Sequence, residues 1–561
     1  MNTSCSFISN FPIHLKYSFQ YSEEIPNMTS LAVVEPTLQA QRESFSIPIH
    51  DASYLLIRGS IALFLGVILF MNIHGDSKVS SIPLINKAQG LDIANWGWRW
   101  RFAFSAEQLL QKGMSLFPDK PFKLMTDSGE IIVLPSNLVS TIGSEDRLLL
   151  RESVAEDFHA HLPGFEVFAA ASRYDQLGQS VVRKRLTRSL NKITEPLSQE
   201  VSFATELRLG NGKVEWKKVY IYNEILDIVA RSSSRVFLGP DICRNEDWLD
   251  ITKRYTSEAF IGSAILRAFP NWFRNIAHWV IPQCRNLRWM APRAREIITP
   301  FIEERRRARA ESIAKGEKPT VFDDAIDWFE DESNGAPYDA AIAQLGLSMA
   351  AIHTTSDLLT ETLLRLARRP ELVEELRAEV IQELRKDGWK KTSLYNMRLL
   401  DSVIKESQRL RPISMVSMVR KAVEDIPLPT GEVIPKGYRT VVLTDQHRSA
   451  ELFTNPDEFD GHRFVRQRAC PETENTAHFV STTSSSLGFG HGKHACPGRF
   501  FAANELKVIL CHLLVKYDWK VGANAPAEPE PVKYSFALQV NPWAQVYLKR
   551  RDCDGLDIDA I

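Results

Sequence analysis

The chain has 561 residues, an ordinary apolar share of 44% and a formal net charge of −1. That length allows a sizeable core, and the near-neutral charge implies no nucleic-acid partner. Seven cysteines (Cys5, Cys243, Cys284, Cys470, Cys496, Cys511 and Cys553) lie scattered without paired spacing, which argues against a disulfide framework and for a reducing compartment around most of the chain.

In chain order, residues 1–53 carry no strong periodicity and read as an N-terminal extension. Tyr54–Ile73, YLLIRGSIALFLGVILFMNI, reads as a transmembrane anchor: at helical rise it covers a bilayer's hydrocarbon core, and Arg58 near one end can snorkel. A buried core helix is the plainer alternative, but such helices are seldom apolar all round. Lys78, Lys87, Arg99 and Arg101 follow the run, whereas only Lys16 and Arg42 precede it, so the positive-inside bias puts the bulk of the chain in the cytosol. Both Asn-x-Ser/Thr sequons, Asn2 and Asn27, fall in the tail this leaves on the lumenal side.

Residues 74–90 read as a linker with Pro83, residues 91–551 as one large catalytic domain and residues 552–561 as a tail. Within the domain, Trp98–Leu116 reads as a helix and Lys123–Val133 as a hairpin about Asp127-Ser128-Gly129. Val181–Ile193 and Val219–Val236 follow helical periodicity, Trp248–Pro292 is rich in apolar and aromatic residues, and Arg293–Lys315 is a basic helix with a polar loop. Tyr338–Arg368 is a long apolar helix, and Pro370–Lys386 and Leu394–Arg411 are further helices. Short strands take over from Val419 to Val442 and again in Pro531–Arg551. The predicted fold class is mainly α with small β-sheets.

The densest chemical signal is Phe489-Gly490-His491-Gly492-Lys493-His494-Ala495-Cys496-Pro497-Gly498-Arg499, running into a predicted helix at Phe500–Val515. A thiol at a helix mouth meets a positive dipole end and free N–H groups, so its thiolate is favoured. A buried cysteine in a Gly-rich turn is the bland reading. A zinc site from His491, His494 and Cys496 is the rival, but it lacks the nearby second ligand pair that structural zinc prefers.

This stretch resembles the haem loop of the cytochrome P-450 monooxygenases, F-x-x-G-x-x-x-C-x-G, and matches all four fixed positions. The resemblance implies haem b, iron protoporphyrin IX, with Cys496 as its axial iron ligand, Phe489 over the sulfur and Gly492 and Gly498 allowing close approach. A thiolate ligand favours O–O cleavage. Glu406-Ser407-Gln408-Arg409 resembles the family's E-x-x-R helix, and the Asn455–Phe464 segment resembles the one that supplies a second arginine. The implied triad, Glu406, Arg409 and Arg463, is structural. His494 and Arg420 take positions of propionate ligands. A basic residue among Arg183, Lys184, Arg185 and Arg188 is expected to join them, with the choice open.

Ala350-Ala351-Ile352-His353-Thr354-Thr355 resembles the family's oxygen-binding segment. Thr354 takes the position of the threonine whose hydroxyl helps deliver protons. Ala351 replaces the usual glycine and His353 the usual acid. His353 either shuttles protons as a catalytic partner of Thr354 or faces a neighbouring helix, and both stay open. The pocket segments near Phe158–Phe168, Ile413–Met418, Phe536 and Leu347–Thr354 are apolar, which points to an apolar substrate. Similarity to fungal microsomal members implies an endoplasmic-reticulum enzyme that takes NADPH electrons through a reductase, with cytochrome b5 as a possible second donor, and oxidises a terpenoid-like secondary metabolite. The alternatives are an isomerase or dehydratase that does not activate oxygen, and a haem carrier without turnover.

Overall fold

The computed structural model describes residues 81–86, 96–210, 215–551 and 556–561, all within a unit running from Leu69 to Ile561. The anchor expected at Tyr54–Ile73 lies outside the described residues, as do both sequons. Among the described residues no helix is long and apolar enough to cross a membrane.

Helices dominate. After the helix Trp96–Leu116 near the start, those that frame the site are α1 (Thr187–Leu209), α2 (Ile221–Leu238), α3 (Glu246–Arg267), α4 (Pro282–Ala314), α5 (Ala340–Leu366), α6 (Pro370–Asp387), α7 (Arg398–Leu410) and α8 (Arg499–Lys516). Helix α5 is central and packs against α2, α3, α4, α7 and α8. Its composition suits this place, since it is predominantly apolar and the acids and arginine of its second half are buried with ion-pair partners. Asp339 caps it by accepting from Ile342 N at 3.1 Å. It stops at Leu366, ahead of Pro370, whose ring disfavours helical backbone at Arg369 and instead opens α6.

One five-stranded sheet joins distant parts of the chain. The hairpin β1 (Phe122–Thr126) and β2 (Gly129–Leu134) continues into β5 (Arg439–Leu443), β4 (Val416–Ala422) and β3 (Leu148–Leu149), with only β2 and β5 parallel. Sequence reasoning extends a helix over Val219–Val236, but Lys217–Tyr220 is a strand paired with Gln545–Leu548. Its partner arrives from the far end of the chain, and local periodicity cannot register that. Leu394–Arg411 likewise breaks at Met397, where the Glu379 carboxylate accepts from Leu399 N and Leu400 N at 2.8 and 2.9 Å and starts a new helix. The tail is also engaged. Ile558 is buried, its carbonyl accepts from Trp389 Nε1, and Asp559 pairs with the buried Lys516 at 2.7 Å.

Glu505 of α8 is fully buried between α2 and α5. Its Oε1 accepts from Ser233 Oγ at 2.6 Å, Thr355 adjoins it, and no cation offsets its charge, so burial pushes the carboxyl up to about 8 from 4.5. Between those values the unfolded chain releases the proton while the folded one keeps it. This group's cost to stability therefore grows as pH rises from about 4.5 to about 8 and then levels off. Glu505→Gln keeps the shape and removes that cost, on the order of 3 kcal/mol at pH 7. Thermal unfolding followed across pH should show the variant gaining over the parent as pH rises; a constant difference would refute the neutral carboxyl.

Candidate functional site

The Cys496 loop is closed by its own backbone: Cys496 N donates to Phe489 O at 2.8 Å. Gly492 is required by packing. Its φ is +72°, and a Cβ there would stand 2.3 Å from Gly143 O, so the loop seats directly on another backbone. At Gly498 a Cβ would meet Val182 at 3.8 Å and Cys496 Sγ at 4.0 Å, ordinary contacts, so the protein around it does not demand glycine. The Phe489 ring packs edge-on to Phe479 with centroids 5.0 Å apart. The Cys496 sulfur lies just ahead of α8, where the N–H groups of Gly498 and Arg499 favour its anion. Burial opposes them and prevails, so the thiol of the protein alone is pushed up, contrary to the expected bias toward thiolate. A coordinated metal deprotonates a thiol outright and removes the conflict.

Beside the loop lies a concentration of positive charge. His494 Nε2 is buried without a hydrogen-bond partner. Burial, then Arg420, Lys493, Arg151 and Arg183, pull its pKa down to about 4, so the ring is neutral. Arg420 is 4% exposed, no carboxylate contacts it among the described residues, and its hydrogen bond goes to Val419 O at 2.6 Å. A register shift between Ser417 and Arg420, with Met418 at φ 54°, re-aims the strand there. Arg183 sits in a single π-helical turn, Val182–Leu186, that precedes α1. Lys184 and Arg185 of the same turn are engaged by Glu332, and Arg185 also by Asp331. Of the four basic candidates, Arg183 is the one whose charge is felt at His494, although its exposed guanidinium donates to Gln179 O and Gln176 Oε1, both at 3.3 Å. Arg151 carries no motif, and sequence reasoning missed it.

The structure brings Glu406, Arg409 and Arg463 together. Arg409 grips Glu406 bidentately, Nε to Oε2 at 2.7 Å and Nη2 to Oε1 at 2.8 Å, and Arg463 Nε reaches Oε1 at 3.1 Å. Glu406 is fully buried, and the remaining guanidinium donors go to His447, Thr454, Asn455, Pro456 and Glu458 carbonyls. His447, another residue without a sequence signal, relays this anchoring to the loop: its Nε2 accepts from Leu487 N at 2.9 Å. Burial and nearby cations hold its pKa at about 4, which keeps that nitrogen free to accept. Ser417 Oγ donates to Leu487 O at 3.1 Å, so the loop's entry is held from two sides.

Along the middle of α5, Ala350 and Thr354 are exposed, one turn apart, while Ile352, Thr355 and Ser356 are buried. Thr354 Oγ1 donates to Ala350 O at 2.8 Å, a back-bond that loosens the helix at this turn. His353 does not share that face. Its Nε2 meets Lys253 O at 2.9 Å and its Nδ1 meets Tyr222 OH at 3.3 Å, so both nitrogens are committed to α3 and α2, and the ring faces neighbouring helices. Among the described residues no three His, Cys, Asp or Glu side chains gather as a metal site.

A haem fits these residues: an available sulfur, a half-buried imidazole with an unpartnered Nε2 and a buried guanidinium without an acid. Its propionates would answer the charge around His494, and its iron the Cys496 sulfur.

The comparisons with known proteins agree. Residues 212–543 match the family Cytochrome P-450. Cytochrome P-450 monooxygenases of Fusarium heterosporum and Aspergillus oryzae are 41% and 40% identical, over 85% and 90% of this chain and 92% and 91% of theirs. A further one from Gibberella fujikuroi is 42% identical over 86% of this chain and 92% of its own. A retinoic acid-bound cyanobacterial CYP120A1 superposes with a TM-score of 0.61 at 17% identity, covering 84% of this chain and 100% of that one, which speaks to fold alone. A cytochrome P-450DA heme domain does so at 0.62 and 19%, covering 85% and 99%. With the thiol loop, the cationic cluster and the buried triad in one frame, the chain belongs to the cytochrome P-450 family and is a haem-containing monooxygenase.

Proposed function

We propose that this monooxygenase is a membrane-anchored enzyme of the endoplasmic reticulum, fed with NADPH electrons by a cytochrome reductase, that hydroxylates or further oxidises an apolar, terpenoid-like secondary metabolite. The observation that carries the catalytic assignment is the Cys496 sulfur, set under the N–H groups of Gly498 and Arg499 beside the His494 cation cluster. When bound there, haem supplies oxygen activation and oxidation of an unreactive C–H bond. The chain's own residues do the rest. Cys496 would ligate the iron, His494, Arg420, Arg183 and Arg151 would answer the propionates, and Thr354 holds on Oγ1 a proton that can leave its Ala350 bond.

An apolar substrate is supported by the aromatic character of the segment expected to line the pocket: Phe158 stacks on Phe168 at 4.2 Å and meets Phe260 edge-on at 4.9 Å. Nearby charges are paired off, Asp157 with Arg439 and Asp127 with Arg267. His159 is buried and neutral, held down to about 3. The anchor rests on the apolar run Tyr54–Ile73 and the basic residues after it, and the lumenal tail would carry glycans at Asn2 and Asn27.

The test is the full-length chain in membranes with reductase. A thiolate-type reduced carbon monoxide spectrum, with product formed only when NADPH, reductase and dioxygen are all present, is the expected result. Turnover without NADPH or oxygen would instead mark an isomerase or dehydratase. Thr354→Ala should keep that spectrum and divert most consumed oxygen to peroxide, a coupling loss on the order of tenfold. Unchanged coupling would remove Thr354 from the relay.

A further inference from the structure

Position 353 opens a buried polar stripe on the back of α5. His353, Asp357, Glu361 and Arg365 recur every fourth residue, and on a helix that spacing puts them on one face. Together they tie α5 to several other parts of the fold. Arg411 clamps the middle two, with Nη2 on Asp357 Oδ2 and Nε on Glu361 Oε2, both at 2.7 Å. Asp357 Oδ1 also accepts from Val540 N at 2.8 Å, and Arg365 pairs with Glu361 and Glu528 at 2.8 Å.

His353 continues this stripe toward α2 and α3. A carbonyl can only accept, so the contact with Lys253 O puts the imidazole proton on Nε2. Nδ1 is then an acceptor, and the Tyr222 hydroxyl must donate to it. Both anchor points are themselves fixed. Tyr222 stands in the first turn of α2, and the Lys253 side chain is bound at 2.6 Å to Asp227 of α2, which also pairs with Arg231 at 2.8 Å. One flat ring therefore holds α5 against two helices at the turn whose next residue is Thr354.

We propose that Tyr222, His353 and the Lys253 carbonyl form a clasp that sets the rotation of α5, and so the direction of the Thr354 hydroxyl, and that His353 is a positioning residue outside the proton path. The inference rests on the reading of Thr354 as the distal hydroxyl. It accounts for a histidine at a position where the resembled segment pattern has an acid: a carboxylate here would face the Lys253 carbonyl oxygen, acceptor against acceptor, whereas the neutral imidazole satisfies an acceptor on one side and a donor on the other.

The test uses the haem-loaded full chain with its reductase and two readouts, amide hydrogen exchange over residues 350–354 and product formed per oxygen consumed. Tyr222→Phe removes one hydroxyl, and should speed exchange of those amides about fivefold, the worth of one neutral hydrogen bond. It should also lower coupling in the parent but not in a Thr354→Ala background, because it acts through that hydroxyl. His353→Gln, which can keep one of the two contacts, should remain better coupled than His353→Asp. Three results would each overturn the clasp: exchange at 350–354 unmoved by Tyr222→Phe, the same fractional coupling loss with and without Thr354, or His353→Asp coupled as well as the parent, which would restore a titrating relay. If Thr354→Ala itself leaves coupling intact, the distal assignment has failed, and the exchange measurement still judges the clasp on its own.

Discussion

Cys496→Ala is expected to erase the thiolate-type reduced carbon monoxide band, deplete bound haem and bring product formation to background. The reason lies in how little else near the loop can replace the sulfur. His494 is the nearest alternative by sequence, but its half-buried ring lies within the field of Arg420, Lys493, Arg151 and Arg183, which keeps it a neutral group suited to facing anions. The polypeptide itself should survive, because the loop is held by the Phe489 carbonyl, His447 and Ser417 and not by the thiol. Unfolding of the apoprotein should move by no more than about 1 kcal/mol, an ordinary substitution effect at a partly accessible site. Cys496→Ser keeps size and the N–H contacts and should also lose the band. A thiolate-type band preserved in either variant would mean that a ligand other than the Cys496 sulfur holds the iron.

Much of this site was legible in the sequence because its chemistry is packed into short stretches. The Phe489–Gly498 loop, the Glu406 and Arg409 pair and the apolar helix bearing Thr354 each declare themselves through local spacing. The hairpin at Phe122–Leu134 does too, through alternation about a turn. What stayed hidden depends on partners far away in the chain. Arg183 could not be told from Lys184 and Arg185 until the helix Ala325–Ser333 supplied Glu332 and Asp331 to occupy the latter two. Arg151 and His447 belong to no pattern and are recognised only by what surrounds them. The side to which His353 turns is set by Tyr222, more than a hundred residues earlier. The Cys496 acidity was misjudged for the same reason: the helix mouth is visible in sequence, but the extent of burial that outweighs it is not.

Glu406→Ala should be the most damaging single change away from the iron. Glu406 is fully buried and is the shared counter-charge for two buried guanidiniums, with side-chain exposures of 3% for Arg409 and 6% for Arg463. Removing the carboxylate leaves both cations in a low-dielectric interior, and breaking a buried pair in this way costs about 3–5 kcal/mol. The loss then propagates. Arg409 also donates to His447 O at 2.7 Å, and the His447 ring is what accepts from Leu487 at the entrance to the Cys496 loop. A loosened Arg409 therefore frees the segment that presents the sulfur, so haem occupancy should fall together with stability. Glu406→Gln separates the two contributions: the amide can still accept one guanidinium bond but cannot neutralise two cations, so it should bind haem partially while unfolding at a lower denaturant midpoint than the parent. Haem content and denaturant midpoint measured on both variants check this ordering. An alanine variant with full haem and an unshifted midpoint would show that the triad does not hold the loop, and that its anchoring runs through Ser417 instead.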